Sequence, residues 1–345
     1  MGVDIGSSAI KGIAGRLSGK NFLVDKLSLV PLPPHAVDER GINEKEVVLS
    51  ALRNVLEEIG AKSEIATAIH GSSVFTKKIV LPKIPKKEIP TQVQWEAEQV
   101  FSQDINSILV DHIILGSDKQ VPGAPRGTKG WELLLVGVRQ EDAKVLEDVF
   151  VQAGAQLNCM DVDAFVSGDL FEKLFIDSKK KAIAIVDVGA SATRVSVRYK
   201  KNTVFLREFA IGGNAFTQII SQSLGVDFDN AESLKIEDGS GIPEQAKQAM
   251  SPLYVSWRNE LQQCEDIFVS QEDNLSIHKW YLYGGGIKTP GLIDSLQSER
   301  IAKKIEIAAF EKAFKAKGKL VDKDLLNMWA ARLISVAGLA VREGK

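Results

Sequence analysis

Cysteine is almost missing from this chain. Cys159 and Cys264 are the only two in 345 residues, which excludes a disulfide framework and fits a reducing compartment. Histidine is equally sparse, and His35, His70, His112 and His278 show no ligand spacing, so no zinc site is expected. Long apolar runs are absent as well. Stretches such as Ala182–Val186 stop at a charge, here Asp187, well short of the ~20 residues that span a bilayer. Asp4 interrupts the N-terminus before any secretory pattern can develop. Nor does one sign of charge dominate: 43 Lys and Arg against 45 Asp and Glu leave a net charge of -2. No strong field draws the chain to nucleic acid or to an anionic membrane. What remains, 44% apolar and 26% charged residues, is the composition of an ordinary globular protein. At roughly 150 residues per domain the length suggests about two domains.

Hydropathy patterning predicts short strands at Val3–Ile5, Ile10–Leu17 and Phe22–Val30, then a Pro-broken loop at residues 31–34. Apolar residues at helical spacing predict a helix over Glu44–Ile59, stopped by Gly60, and Ile65–Ile69 reads as a strand. From Val74 a second pattern begins: a strand at Val74–Leu81, a helix carrying Ile89, Val93, Ala97, Val100 and Phe101, strands at Ile108–Leu115 and Trp131–Val138, and a helix at Glu141–Gly154. The Gly- and Pro-rich stretch Gly116–Gly130 between those strands reads as an exposed, mobile loop. This β-α-β-β-α stretch looks like a small inserted domain. Strands follow at Ala182–Val188, Thr193–Tyr199 and Thr203–Ile211, then helices at Ala215–Leu224, Phe228–Ile236 and Gln245–Ser270. A strand at Ile277–Tyr283 precedes a Pro-led helix near Pro290, and Leu325–Arg342 reads as a closing helix with small residues along it. Strands then helices, twice over, argue for an α/β fold with two related halves.

One short internal echo carries most of the chemistry. VDIGSSAIK (Val3–Lys11) reappears as VDVGASATR (Val186–Arg194), offset by 183 residues, about half the chain. An Asp at a strand end holds a hydrated Mg2+, the Gly two residues later permits a tight turn with outward N–H groups, and Ser or Thr hydroxyls add donors to phosphate oxygens. Two such hairpins facing each other would clamp a di- or triphosphate. A single copy is equally what an ordinary β-turn looks like; the repeated order and spacing favour the phosphate reading.

Weaker signals accompany the echo. Gly284, Gly285 and Gly286 follow an apolar strand, and Gly212 and Gly213 follow another, both suited to close approach of a ligand but also to plain loops. Glu232 and Lys235 lie one helical turn apart, placed to grip a ribose hydroxyl and a base edge or, on spacing alone, to form a solvated surface ion pair. Trp95 and Phe101 are either peptide anchors or core aromatics, the latter being the commoner case. Lys77, Lys78, Lys83, Lys86 and Lys87 form a basic run that reads as a solvated face, or more sharply as a surface for an acidic partner or lipid headgroups.

GVDIGSSAIK, VDVGASAT and YGGG, in that order, resemble the two phosphate hairpins and the adenosine loop of the actin/sugar-kinase/DnaK superfamily. SSVFTKKIVLPKIP (Ser72–Pro85), QWEAEQVF (Gln94–Phe101), GGNAFTQIISQSLGVDFDNAESLK (Gly212–Lys235) and AGLAVR (Ala337–Arg342) resemble the PilM family of actin-like type IV pilus assembly proteins, relatives of FtsA. The resemblance implies a two-lobed actin-like α/β fold of the ribonuclease H-like kind with an inserted FtsA/PilM-type subdomain. It implies a first large subdomain (IA) from residues 1–72, 158–181 and 328–345, and an inserted small subdomain (IC) at residues 73–157. A second large subdomain (IIA) would comprise residues 182–213 and 276–327, and a helical small one (IIB) residues 214–275. It implies ATP and Mg2+, with Asp4, Gly6, Ser7, Ser8 and Lys11 in the first phosphate loop and Asp187, Gly189, Ser191 and Thr193 in the second. Asp4 and Asp187 would hold Mg2+ through water. Glu232 and Lys235 would contact ribose and adenine, and Gly212, Gly213, Gly284, Gly285 and Gly286 would line the nucleotide.

The same resemblance implies a cytoplasmic adaptor, peripheral to the inner membrane. It would dock the cytoplasmic N-terminal peptide of a PilN-like membrane protein between the first large subdomain and the inserted one, and link it to the assembly motor proteins. Arg342-Glu343-Gly344-Lys345 ends the sequence without an amphipathic helix, so membrane association is expected only through that partner. Self-association stays open. Hydrolysis would need a residue that orients water; Asp163 is the candidate, with Asp161 second, unless the two carboxylates serve only a helix N-terminus. Tight nucleotide binding with at most slow turnover suits a scaffold. A small-molecule kinase and a filament-forming cytoskeletal ATPase are the alternatives on this fold.

Overall fold

The computed structural model describes residues 1–38, 40–237, 241–272, 275–296, 304–317 and 321–342. In chain order these form β1 (Gly2–Ile5), β2 (Ala9–Ser18), β3 (Asn21–Pro31), β4 (Val37–Asp38), β5 (Gly41–Ile42), α1 (Lys45–Ile59) and β6 (Ile65–Ile69). There follow β7 (Val74–Pro82), α2 (Ile89–Val100), β8 (Ile108–Gln120), β9 (Lys129–Arg139), α3 (Gln140–Gln152), β10 (Leu157–Val162) and α4 (Asp163–Leu174). Next come β11 (Ala182–Val188), β12 (Thr193–Tyr199), β13 (Asn202–Phe209), α5 (Gly213–Leu224), α6 (Phe228–Ile236), α7 (Glu244–Gln271) and β14 (Ile277–Tyr283). The chain closes with β15 (Ile305–Ile307), α8 (Phe310–Ala313), β16 (Phe314–Ala316), α9 (Lys323–Trp329) and α10 (Ile334–Ala340).

Two compact units emerge, residues 1–68 with 150–345, and residues 69–149. The larger unit holds two sheets, ordered β10-β6-β1-β2-β3-β16 and β13-β12-β11-β14-β15. In both, a mostly apolar strand is central: β1 pairs antiparallel with β2 and parallel with β6, and β11 pairs antiparallel with β12 and parallel with β14. The internal echo of the sequence is therefore an echo of topology, three antiparallel strands, a helical crossover and a parallel return. Strands buried on both faces need apolar residues throughout, which is why Val3, Ile5 and Ala182–Val186 do not alternate with polar ones.

The core of this unit gathers Ile13 and Phe22 of the first sheet, Ile183, Ile185, Tyr281 and Tyr283 of the second, and Leu170 and Phe171 of α4. The Phe171 ring lies 5.3 Å from that of Tyr283 and 6.1 Å from that of Phe310. Small residues let α10 approach closely: a Cβ on Gly2 would stand 2.1 Å from the Val336 carbonyl, and one on Gly338 would stand 2.5 Å from that of Val166.

The smaller unit is an antiparallel sheet, β7-β9-β8, with α2 packed on one face. Ile89, Val93 and Ala97, four residues apart along α2, are buried against Leu81, Leu133 and Leu135.

Four expectations need correction. Gly116 and Gly130 belong to a long β8–β9 hairpin and not to a loop, since Gly116 pairs with Glu132 and Lys119 with Gly130; the connection is confined to residues 121–128 and is tied by Val121 and Thr128 amides to Thr128 and Pro125 carbonyls. The closing helix is broken into α9, a 3₁₀ turn at Ala330–Arg332 and α10, because the Ala331 carbonyl is used by the Gly284 amide, 3.1 Å away. Between Pro290 and Leu296 there is only the 3₁₀ turn Asp294–Leu296, and residues 297–303 lie outside the described residues. Trp95 is 66% exposed and not core, whereas Phe101 does pack inward, against Phe75. Residues 343–345, on which the expectation about the C-terminus falls, lie outside the described residues.

Candidate functional site

The two echo segments form turns with the same wiring. Asp4 stands opposite Lys11 across β1–β2, and Asp187 stands opposite Arg194 across β11–β12. The Gly6 amide donates to the Ala9 carbonyl at 3.1 Å, and the Gly189 amide to the Ala192 carbonyl at 2.9 Å. The tips meet, with Ser7 Oγ 2.7 Å from Ser191 Oγ. Asp4, Gly6, Ser7, Lys11, Asp187, Gly189 and Ser191 are thus gathered around one place. Ser8 stands at its edge, exposed, its carbonyl accepting the Leu32 amide at 2.9 Å.

Charges there are dense and mostly buried. Lys11 Nζ lies 2.7 Å from Asp4 Oδ2. Arg194 reaches Asp187 Oδ2 at 3.6 Å, Asp163 Oδ2 at 3.6 Å and Glu208 Oε2 at 2.5 Å. Burial pushes the Asp187 carboxyl up to about 7; Arg194 opposes this and the neighbouring Asp163 reinforces it, while Lys11 and Asp4 act on the same carboxyl from the first hairpin. Burial works against the Arg194 cation too, but Asp163, Glu208 and Asp187 outweigh it and hold its pKa above the usual value. Asp163 is the first residue of α4. Asp161 is placed elsewhere, paired with Arg342 and bonded to its neighbouring Val162 amide at 2.7 Å, and no side chain caps α4, so neither carboxylate plays the capping part.

Two glycine-bearing loops close onto the second hairpin. A Cβ on Gly212 would lie 2.4 Å from the Ala190 carbonyl, one on Gly284 would lie 2.4 Å from Asp187 Oδ1, and one on Gly286 would lie 2.8 Å from the Gly189 carbonyl. Gly284 also has φ +96, a conformation that favours glycine. A Cβ on Gly213 would face Lys235 Nζ at 3.3 Å and Gly286 at 3.6 Å. Lys235 is buried; its ammonium donates to the Gly213 carbonyl at 3.0 Å and to Thr217 Oγ1 at 2.6 Å and pairs with Glu232 at 2.6 Å. Burial lowers its pKa against the pull of Glu232. The surface ion pair suggested by spacing is therefore a half-buried one, its lysine inside and its glutamate at the rim. Gly285 lies against Arg332, whose Nε would be 3.2 Å from an added Cβ.

Thr193 is the exception. Its hydroxyl donates to the Ile211 carbonyl at 2.6 Å and accepts from Trp257 Nε1 at 3.0 Å, fully buried on the other face of β12. Alternation along a strand sends Arg194, and not Thr193, toward the turns. Sequence reading missed Arg194, Glu208 and Arg332. For Arg194 the signal was present, since the echo aligns it with Lys11; Glu208 follows only from the β12–β13 register, in which it faces Arg194.

With the geometry in hand, comparison with known proteins is specific. The family model described as "Type IV pilus assembly protein PilM" matches residues 2–344. A PilM-PilN type IV pilus biogenesis complex superposes with a TM-score of 0.82 at 24% identity, covering 99% of this chain and 97% of the other. EutJ, an ethanolamine utilization protein from Carboxydothermus hydrogenoformans, gives 0.54 at 14% identity over 99% of this chain and 88% of that one. MreB5 of Spiroplasma citri bound to AMPPNP gives 0.52 at 11% identity over 98% and 93%. These likenesses show the fold, a two-lobed actin-like one. The cell division protein FtsA of Enterococcus faecalis is 30% identical over 125 residues, 35% of this chain, and the matched stretch spans only 28% of that relative's length.

Proposed function

The chain belongs to the PilM family of type IV pilus assembly proteins, and from that premise we propose that it is an ATP-binding adaptor of the inner-membrane assembly complex. In this reading it docks the cytoplasmic N-terminal peptide of a PilN-like membrane protein and connects it to the pilus assembly motor proteins. The complex whose structure resembles this chain pairs PilM with PilN. No helix among the described residues is long and apolar enough to cross a membrane. In this reading its place is cytoplasmic, peripheral to the inner membrane through the partner.

The observation that carries the nucleotide part is the 2.7 Å meeting of Ser7 and Ser191 between two turns of identical wiring. The residues present fit a nucleotide. Outward amides and hydroxyls of Gly6, Ser7, Ser8, Gly189 and Ser191 would hold phosphates, the glycines at 212, 284 and 286 let their loops close onto the second hairpin where a Cβ would strike it, so that the backbone at 212, 213, 284, 285 and 286 would line the nucleotide, and Glu232 with Lys235 would take ribose and base. Asp4 and Asp187 would hold Mg2+ largely through water, since no group of three or more metal-ligating side chains forms among the described residues. The metal would neutralise phosphate charge. Asp163, our candidate for orienting water, is engaged by Arg194, which supports holding nucleotide with slow turnover over rapid hydrolysis.

Calorimetric titration of the full chain tests this. MgATP is expected to bind, and the PilN-like N-terminal peptide is expected to bind more tightly to the nucleotide-loaded chain. Folded protein that gives no heat with MgATP refutes the nucleotide reading, and absence of peptide binding in both states refutes the adaptor reading.

A further inference from the structure

The net charge of -2 conceals a concentration of lysines at one end of the second sheet. Lys179, Lys180 and Lys181 lead into β11, and Lys200 and Lys201 join β12 to β13. Pairing puts the two groups side by side: Ile183 stands opposite Arg198, and the Lys200 amide donates to the Ser178 carbonyl at 2.8 Å. His278, at the start of β14, adds its ring, with Nε2 2.9 Å from Lys181 Nζ. All five lysines are exposed, and no ion pair among the described residues uses them. Asp177 accepts from the Lys179 amide at 3.0 Å, Glu172 is held by Ser178, and Glu306 is taken by Lys279.

The turn between β12 and β13 is strained for its residues. Tyr199 pairs with Asn202, so Lys200 and Lys201 are the whole connection, and both have positive φ, 50 and 66. A two-residue turn of that kind favours Asn-Gly. The turn is held from beneath: Ser178 Oγ accepts the Lys201 amide at 3.1 Å and donates to Glu172, and Arg198 donates to the Lys201 carbonyl. Folding gains nothing from lysine at these two positions, so the strain points to a use at the surface.

We propose that these five lysines form a surface that lies on anionic lipid headgroups. The cations are lysines on loop ends, hydrated point charges suited to many diffuse partners, whereas recognition of a row of carboxylates on a protein favours the arginine fork. The choice of a lipid sheet rests also on the inner-membrane place proposed above. The surface lies at the opposite end of β11 from Asp187, about 20 Å away over the seven residues of that strand, so contact with a bilayer leaves the phosphate turns clear. Attraction of this kind gives about fivefold in affinity per lysine. It orients a chain that its partner holds, and does not replace the partner.

The test is sedimentation of the full chain with vesicles of phosphatidylcholine alone, or with about one third phosphatidylglycerol, without nucleotide or peptide. The wild type is compared with K200N/K201G, with K179S/K180S and with the control K86S/K87S from the basic run of the smaller unit. The wild type is expected to bind only the anionic vesicles at about 50 mM salt and to be released at about 0.5 M. K200N/K201G is expected to lose about tenfold or more in vesicle affinity while melting at or above the wild-type temperature, because Asn-Gly suits the turn. K179S/K180S should lose as much, and the control less than about twofold. Binding to neutral vesicles alike, no binding to anionic ones, or an equal loss in the control overturns the proposal. A wild type that binds polyglutamate but not anionic vesicles assigns the surface to an acidic protein and overturns it too. The peptide and MgATP titrations decide the adaptor reading separately.

Discussion

Ser7 and Ser191, 184 residues apart in sequence, place their hydroxyl oxygens 2.7 Å from each other. The contact joins the tips of two hairpins that are otherwise independent turns. Because either hydroxyl can donate, one can keep the bond between them while the other turns its proton to a third acceptor. The S7A/S191A variant is expected to change stability by less than about 1 kcal/mol, since both partners of one hydrogen bond are removed together, yet to weaken MgATP binding about tenfold. Thermal melts and calorimetry measure the two effects separately.

The glycines divide into two kinds. G284A forces a side chain at φ +96 onto Asp187 Oδ1 and the Val188 carbonyl, each 2.4 Å away, and should cost about 1–3 kcal/mol of stability. G213A meets Lys235 Nζ at 3.3 Å and should fold with a modest loss while lowering nucleotide affinity. Denaturant midpoints of the two variants, set beside their MgATP affinities, would separate a residue needed by the fold from one needed by the ligand.

Lys78 on β7 gives a pH prediction confined to the smaller unit. Burial lowers its pKa to about 8; Glu132 on β9 opposes this and Lys119 on β8 adds to it. The unfolded chain, with an ordinary lysine, then binds more protons than the folded one between about pH 8 and 10.5, so this group makes stability rise with pH across that window. Relative to K78M, the wild-type melting temperature should climb from pH 8 to 10, and K78M should be the more stable protein at pH 7. A constant difference between the two would contradict the burial of a charged ammonium.

Arg198 is buried beneath α4 and held from several sides. Its guanidinium lies 2.9 Å from Asp169, donates to Thr203 Oγ1 at 3.2 Å and to the Lys201 carbonyl, and packs on Gly168. R198A takes one partner from Asp169, which keeps Arg342, and from Glu172, which keeps Ser178, and opens a gap, and is expected to cost about 1–3 kcal/mol. Chemical denaturation would measure it; a loss under about 1 kcal/mol would mean that the network is idle.

Trp95, with two thirds of its surface in solvent, should contribute little to folding. W95A is expected to melt within about 0.5 kcal/mol of the wild type. The same protein offers a clean probe of the proposed peptide docking, which should weaken if the indole takes part.

Much of this was legible in the sequence because local rules and global fold agree. The echo between Val3–Lys11 and Val186–Arg194 fixed both hairpins, and the strands at Ile65–Ile69 and Ile277–Tyr283 emerged with the very bounds that hydropathy predicts. Other features were not legible because their causes are tertiary. Gly130 looks like loop until Leu81 is brought against it, and the break after Trp329 is invisible until Gly284 claims the Ala331 carbonyl. Arg194 was hidden in plain sight, a basic residue in a repeat, since two of the three carboxylates that converge on it follow only from the strand register and the third only from the seat of α4. Thr193 was misjudged by composition, because a hydroxyl next to a glycine turn suggests a donor, while strand alternation turns it toward Trp257.

That bond from the Gly284 amide to the Ala331 carbonyl has a mechanical meaning. It pins the glycine loop of the second sheet to the kink just ahead of α10, and α10 in turn rests on β1 at Gly2 and on α4 at Gly338. Anything that pushes the loop outward therefore tugs a helix seated on the opposite half, as a crank turns a shaft, and the two halves are geared through a strap of backbone that no side-chain substitution at the kink can unhook.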